Sequence, residues 1–249
     1  MFEKNIIYKE EIDSTNIEIK RQAKAGAPEG TLAIAECQTQ GQGRRGRAWI
    51  SPKGTGIWMS FLLRPEIQPE KAASLTLVAA LAVSRAIEKE TGLKAQIKWP
   101  NDLVINGKKI CGILTEMSAE KDSIHYVVVG IGLNVNMENF PEELPFATSL
   151  LIEGGRVYQK EPLIKAILRE FESCYTDFLE TENLEKLLAD YNKRLVNLDN
   201  QVQIIKDKEA LLGTARGVNA QGELLVETKE GIKKILSGEV SVRGVYGYV

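Results

Sequence analysis

Gln38-Thr-Gln-Gly-Gln-Gly-Arg-Arg-Gly-Arg-Ala-Trp-Ile-Ser-Pro52 concentrates glycine and arginine more than any other segment of the chain. Its three glycines let backbone N–H groups come close to a ligand, and its three arginines carry permanent, forked charges suited to phosphate or carboxylate oxygens. Two familiar phosphate-binding folds match its spacing. Gly41-x-Gly43-x-x-Gly46 satisfies the dinucleotide pattern, but the segment that should then open a helix, Trp49-Ile-Ser-Pro-Lys-Gly-Thr-Gly56, carries a proline and two glycines. Gly41 and Gly46 also have Walker A spacing, yet Arg47-Ala48 stands where Lys-[Ser/Thr] would hold phosphate and Mg²⁺. Neither a Rossmann turn nor a P-loop fits. What remains is a long Gly/Arg loop between a strand over residues 31–38 and another over 56–63, either a solvated basic loop or an anion site.

Upstream, residues 5–8 predict a short strand, and Asp13-Ser-Thr-Asn16 opens a helix ending near Gly26. Thr15-x-x-Glu18 has the form of a capping box, while the same hydroxyls and amide offer a small ligand several donors and acceptors at a helix N-terminus. Downstream, Pro69 begins a long amphipathic helix with Gly92 past its end, a packing element. Residues 94–99 and 102–105 are strand-like, and Asn106-Gly107 is a strong hairpin signal. Lys98 lies amid apolar residues, where an ammonium is costly without a partner: it either pairs with a carboxylate such as Asp102 or receives an anionic substrate. The β-branched run over residues 126–133 predicts a strand buried on both faces, ending in Gly130-Ile-Gly-Leu-Asn134. Helices over 161–181 and 183–195 follow. From Val202 the texture becomes five short alternating strands, the last over residues 240–243, separated by turn signals that include Ser237-Gly238; this is the pattern of a small barrel.

With 249 residues, 32 basic against 34 acidic, the net charge is −2, so the arginine cluster is a local feature and a general polyanion binder is disfavoured. Cys37, Cys111 and Cys174 are far apart and lie in apolar-patterned segments, which points to reduced structural thiols in a cytoplasmic protein. A single histidine, His125, argues against a Ser-His-Asp triad or a His/Cys zinc site. No apolar run approaches the ~20 residues that span a bilayer.

Together these stretches resemble the biotin–protein ligases, also called biotin–[acetyl-CoA-carboxylase] ligases. The likeness rests on Ser14-Thr-Asn16, the loop from Gln38 to Trp49, Lys98-Trp-Pro-Asn-Asp-Leu103, Lys109-Ile-Cys-Gly-Ile-Leu114, Gly130-Ile-Gly-Leu-Asn134 and the C-terminal strands, in that order. It implies an α+β fold: a mixed-sheet catalytic core like that of class II aminoacyl-tRNA synthetases and the biotin–lipoate ligases over residues 1–198, then an SH3-like barrel over 199–249. It also implies two steps, attack of the biotin carboxylate on the α-phosphorus of ATP to give biotinyl-5′-AMP, then transfer to a lysine of a biotin carboxyl carrier protein domain.

By the same resemblance Ser14, Thr15, Asn16 and Gln38 bond the ureido ring, Gly112, Ile113 and Leu114 line its apolar slot, and Gln42, Gly43 and Arg44 contact biotin or its adenylate. Arg44 and Arg45 face phosphate, Trp49 the adenine, and Asn134 the nucleotide. Lys98 and Arg44 are the expected catalytic residues, Lys98 by neutralising the carboxylate and α-phosphate as they meet. Asn101, Asp102 and Lys109 neighbour the phosphates and the Mg²⁺ that arrives with ATP near Asp102, with no metal cage from the protein. Gln42 departs from the family, which commonly has a basic residue there. Only about a dozen residues precede Ser14, which resembles the monofunctional class without a DNA-binding domain. A homodimer is implied, with no DNA or membrane partner. The loop is expected to be mobile when empty and ordered by biotin. Lipoate– or octanoate–protein ligases share the core and the adenylation chemistry, and a nucleic-acid-binding protein using the patch at residues 44–47 is the rival from another class.

Overall fold

The computed structural model describes residues 1–2, 4–206, 209–237, 241–244 and 248. The chain opens on strand β1 (Ile6–Ile12) and helix α1 (Thr15–Lys24), and strands β2 (Leu32–Gln38) and β3 (Gly56–Leu63) flank the Gly/Arg loop as expected. Helix α2 (Leu75–Thr91) follows a 3₁₀ turn at Pro69–Ser74 and ends at Gly92 in the left-handed conformation. Strands β4 (Gln96–Lys98), β5 (Asp102–Ile105), β6 (Lys108–Glu120) and β7 (Ser123–Asn134) then form a meander. Asn106 and Gly107 between β5 and β6 both have positive φ, the geometry that Asn-Gly selects for a two-residue hairpin turn.

These strands make one seven-stranded sheet in the order β1-β2-β3-β7-β6-β5-β4, parallel only between β1 and β2. Alternation along β3, β6 and β7 divides it into two faces. One face buries Met59, Phe61, Val127, Val129 and Ile131 in the main core with α2 and helix α4 (Lys160–Thr181). Phe61 lies between Phe2 and Phe171, with centroids 4.9 and 4.6 Å away, contacts that add about 0.5–1.5 kcal/mol per pair beyond burial. The other face packs α1 through Ile19 and Ala23 on Ala33, Leu62 and Val128. Arg64 donates to the carbonyls of Ala23, Ala27 and His125, which ties the end of α1 to the sheet. Towards one end of this second face the side chains shrink to Gly112, Gly130 and Gly132, and there the site forms.

Two helices complete this part, α3 (Leu150–Gly154) and α5 (Leu188–Arg194). The pattern predicts a single helix over 183–195, but the Leu184 N–H donates to the Ala220 carbonyl and the Asn183 side chain accepts from the Glu185 N–H, so residues before 188 are spent on turns and tertiary contacts. Strands β8 (Gln201–Lys206), β9 (Glu209–Val218), β10 (Leu224–Thr228), β11 (Gly231–Ile235) and β12 (Ser241–Gly244) form a separate antiparallel sheet in the order β11-β10-β9-β8-β12. The α+β class with a C-terminal SH3-like unit stands as expected. Gly238 of the predicted last turn and Val240 of the predicted last strand lie outside the described residues. No described helix is long and apolar enough to cross a membrane, and no disulfide links the three cysteines, of which Cys111 and Cys174 are buried.

Candidate functional site

The Gly/Arg loop is a small folded excursion rather than an open loop. Isolated antiparallel bridges pair Gln38 with Ser51 and Gln42 with Ala48, and the tip is a 3₁₀ turn at Arg44–Gly46. Two of its residues depend on special backbone. A Cβ on Gly41 would lie 2.3 Å from the Trp49 carbonyl oxygen, and Arg45 sits at φ 58°, a left-handed conformation that an arginine adopts only under local constraint. No helix opens after Gly46, which bears out the rejection of the dinucleotide turn.

Ser14, not Thr15, occupies the N-cap position of α1 and its side chain caps nothing, so the capping box expected from Thr15 and Glu18 does not form. The reason lies in the sheet below. Gln38 Oε1 accepts from the Thr15 N–H at 2.8 Å, and the Thr15 hydroxyl lies 2.7 Å from Ser60 Oγ on β3. Ser60 donates to Asn16 Oδ1 at 2.6 Å, and Asn16 Nδ2 donates to Glu116 on β6 at 2.8 Å and to the Leu114 carbonyl. Lys20 closes the chain with an ion pair to Glu116 at 2.6 Å. Thr15, Asn16 and Ser60 are all buried, so this web satisfies groups whose desolvation would otherwise be costly.

Two adjoining cavities flank the Gly/Arg loop, the smaller of them over the glycine strip. The smaller, about 50 Å³, is lined by Ser14, Thr15, Asn16, Gln38, Gln42, Gly43, Arg44, Gly112, Ile113 and Leu114, ten of the eleven residues expected around biotin. Ile113 contributes through its backbone, because its side chain belongs to the main core on the opposite face. The eleventh, Lys98, lies on the larger cavity of about 590 Å³ with Arg45, Asp102 and Asn134. Gly43, Arg44, Trp49, Asn101 and Lys109 line both. Trp49 lies flat on the strip: Cβ atoms built on Gly132 and Gly112 would come within 2.4 and 2.9 Å of its indole. Its Nε1 is buried and makes no hydrogen bond, and Lys109 Nζ stands 5.1 Å over its ring. With the indole there the smaller cavity has room for only a few waters.

Lys98 is buried, its Nζ 3.3 Å from the centroid of Tyr248. The Asp102 carboxylate takes Lys109 Nζ at 2.6 Å and the Tyr248 hydroxyl. Burial first, and the Asp102 carboxylate second, push the Tyr248 phenol far above its ordinary range, so it stays a neutral donor. Arg44 donates to Asn101 Oδ1 at 2.9 Å and to the Ser237 carbonyl at 2.6 Å. Its burial, reinforced by Arg45 and Arg47 and opposed by Asp102, draws its guanidinium below its ordinary value, though an arginine keeps its charge. Asn134 is buried and donates to the Thr148 carbonyl. Burial likewise pushes the Cys111 thiol up, which leaves it inert. The arrangement can hold a polar ring, a flat apolar ligand and an anion, and among the described residues no histidine lines it to activate a hydroxyl as a nucleophile.

Residues 8–134 match the model of the Biotin/lipoate A/B protein ligase family, and residues 198–243 that of the Biotin protein ligase C terminal domain. The chain belongs to the biotin/lipoate A/B protein ligase family. It is 42% identical over 241 residues to the bifunctional ligase/repressor BirA of Bacillus spizizenii, covering 96% of this chain and 74% of that protein. It is 33% identical to the biotin–[acetyl-CoA-carboxylase] ligase of Mycobacterium tuberculosis over 91% of this chain and 85% of that one. Among solved structures, biotin protein ligase from Aquifex aeolicus in complex with biotin and ATP superposes with a TM-score of 0.84 at 34% identity, covering 97% of this chain and all of that one.

The sequence reading of this family member missed Ser60, Glu116, Lys20 and Tyr248. Ser60 carried a usable signal, a lone hydroxyl in the apolar run Trp58-Met-Ser-Phe-Leu62, and Asn16 and Lys20 are spaced i,i+4 on one helix face. Tyr248 carried none, since only tertiary packing brings it to Lys98.

Proposed function

We propose that the chain is an ATP-dependent biotin–protein ligase that forms biotinyl-5′-AMP and transfers the biotinyl group to a lysine of a biotin carboxyl carrier protein domain. The observation that carries this reading is the pair of cavities, one polar-ended and one cation-lined, joined through the Gly/Arg loop. In it Ser14, Thr15, Asn16 and Gln38 hold the ureido ring, with the tail running over Gly112 and Leu114 towards Lys98. There the carboxylate attacks the α-phosphorus, a new P–O bond forms as the bond to the β-phosphate breaks and pyrophosphate leaves with its electrons, and Lys98 and Arg44 stabilise the negative charge that builds on the phosphate oxygens. Arg45, Asn101, Lys109 and Asn134 bound the nucleotide side, and Trp49 leaves the glycine strip to face the base. In the second step the carrier lysine attacks the mixed anhydride carbonyl, a new C–N bond forms, and AMP departs with the bond electrons.

Among the described residues no three His, Cys, Asp or Glu side chains cluster as a metal cage, and Asp102 is already bonded by Lys109 and Tyr248. This donor set fits Mg²⁺ entering on the ATP phosphates, where it neutralises charge, with Asp102 as the nearest carboxylate. Residues 1–198 form the catalytic unit and 199–249 a small barrel, and the ligase works in the cytoplasm as a homodimer. The family's lipoate and octanoate substrates lack a ring urea, and the hydrogen-bonded polar end of the smaller cavity favours biotin over them. Incubation with biotin, ATP, Mg²⁺ and a carrier domain tests the reading: the carrier lysine gains the mass of a biotinyl group, and transfer of octanoate instead overturns it.

A further inference from the structure

The Lys20–Glu116 pair lies outside both cavities and has no part in the chemistry above, yet it touches the amide at their polar end. Asn16 and Lys20 project from the same face of α1 over Gly130, where the bare backbone admits the amide: a Cβ there would stand 1.9 Å from Asn16 Oδ1. Glu116 lies on β6 beside this point, accepting from Asn16 through one oxygen and from Lys20 through the other.

A carboxylate paired with an ammonium can only accept, and this fixes the direction of every hydrogen bond beyond it. Asn16 has to turn its Nδ2 towards Glu116, so its Oδ1 faces Ser60. Ser60 then spends its one proton on Asn16 and has to accept from Thr15. Thr15 then gives its one proton to Ser60 at 2.7 Å rather than to Gln38 Oε1 at 3.1 Å, and its oxygen keeps lone pairs with which to accept. The polar end therefore presents acceptors to whatever ring N–H groups enter. With a neutral side chain at 116 the longer bond to the Leu114 carbonyl, 3.3 Å, would be the remaining fixed acceptor for Nδ2, so the amide would be held less firmly against turning over and reversing the chain.

We infer that Glu116, paired with Lys20, is a positioning residue that sets the hydrogen-bond polarity of the ring-recognition end through Asn16, and so tunes the enzyme for a substrate with ring N–H donors. The inference rests on the biotin reading above.

The test is steady-state kinetics on the full chain with biotin, ATP and carrier domain, with thermal melting as a control for folding. Glu116→Gln, nearly isosteric, should raise the biotin KM about tenfold while kcat and the ATP KM stay within about twofold, a loss equal to one charge-assisted hydrogen bond. Lys20→Gln, which leaves the carboxylate in place, should shift the biotin KM the same way by about threefold and keeps the question answerable if E116Q melts early. Combining E116Q with Ser60→Ala should cost less than the two single effects multiplied, because both act on one amide. A fall in kcat with unchanged biotin KM, equal rises in both KM values, or independent effects of E116Q and S60A would each overturn the positioning role. Wild-type protein that neither binds nor transfers biotin would overturn the function and this inference together, whereas an active wild type with unaltered variants overturns the inference alone.

Discussion

Replacing Gly130 by alanine should cripple biotin recognition while leaving the fold in place. The ideal Cβ would lie 1.9 Å from Asn16 Oδ1 and 2.8 Å from its Cγ, with a backbone φ that any residue can adopt, so the clash falls wholly on the Asn16 side chain. Oδ1 has to retreat by about 1.5 Å to reach ordinary contact. Asn16 starts the turn of α1 that packs on the sheet, so the helix backbone cannot follow freely and the amide has to rotate. That breaks the bond from Ser60 at 2.6 Å and the bond to Glu116 at 2.8 Å. A neutral hydrogen bond contributes about 1 kcal/mol and one to a charged group about 1.5–3, so the disorganised amide costs about 2.5–4 kcal/mol. If biotin has to restore it, affinity falls by roughly 70- to 1,000-fold. Isothermal titration with biotin reads this directly, and ATP binding to the same sample controls for an intact larger cavity. A Gly130→Ala protein that binds biotin within about threefold of wild type would refute the reasoning, because the amide would then have another place to go.

Lys98→Ala should abolish biotin-dependent ATP–pyrophosphate exchange, by roughly 10²–10³ or more if it serves as an electrostatic stabiliser, while biotin still binds; near-normal exchange would remove it from the mechanism. Arg44→Ala should release biotinyl-5′-AMP about tenfold faster in a filter-binding assay, and unchanged release would mean that the loop's charge does not hold the intermediate. Away from the site, burial raises the Asp190 carboxyl, but hydrogen bonds from Arg85 and Arg194 outweigh it and hold the group below its ordinary 3.8. Its contribution is therefore present above that value and lost as pH falls through the lower folded value, so Asp190→Asn should reduce the melting temperature at pH 7 and converge on wild type in acid. A constant difference across that window would contradict it.

Much of the fold could be read from sequence because its local signals agree with its tertiary environment. The β3 boundaries, the Gly92 helix end and the Asn106-Gly107 hairpin came through because each has a steric cause within a few residues. The helix over 183–195 did not, because Leu184 is claimed by a carbonyl 36 positions away, which no local window contains. The site divides in the same way. Glycines and hydroxyls flagged one by one do line one cavity, but the sequence could not say that Thr15 and Asn16 spend their side chains on the sheet and not on a capping box. Nor could it supply Ser60, Glu116 and Tyr248, whose significance depends on which neighbours the sheet register and the C-terminal packing bring to them.

The arginines of residues 38–52 suggested an anion site, and the structure gives that suggestion a specific form. Arg44 is tied to two neutral acceptors, Asn101 Oδ1 and the Ser237 carbonyl, the second of them beside the C-terminal sheet. Hydrogen bonds between a cation and an anionic oxygen are about twice as strong as neutral ones, so a phosphate arriving in the larger cavity outcompetes such acceptors for the same guanidinium. Trp49, three residues beyond the tip, rides on the same loop and lies on the strip that a biotin tail would cover. Its buried, unbonded Nε1 makes the indole cheap to displace from there. A ligand that takes the Arg44 guanidinium and one that covers the glycine strip therefore both have to displace contacts made by the same short excursion, at its tip and at Trp49.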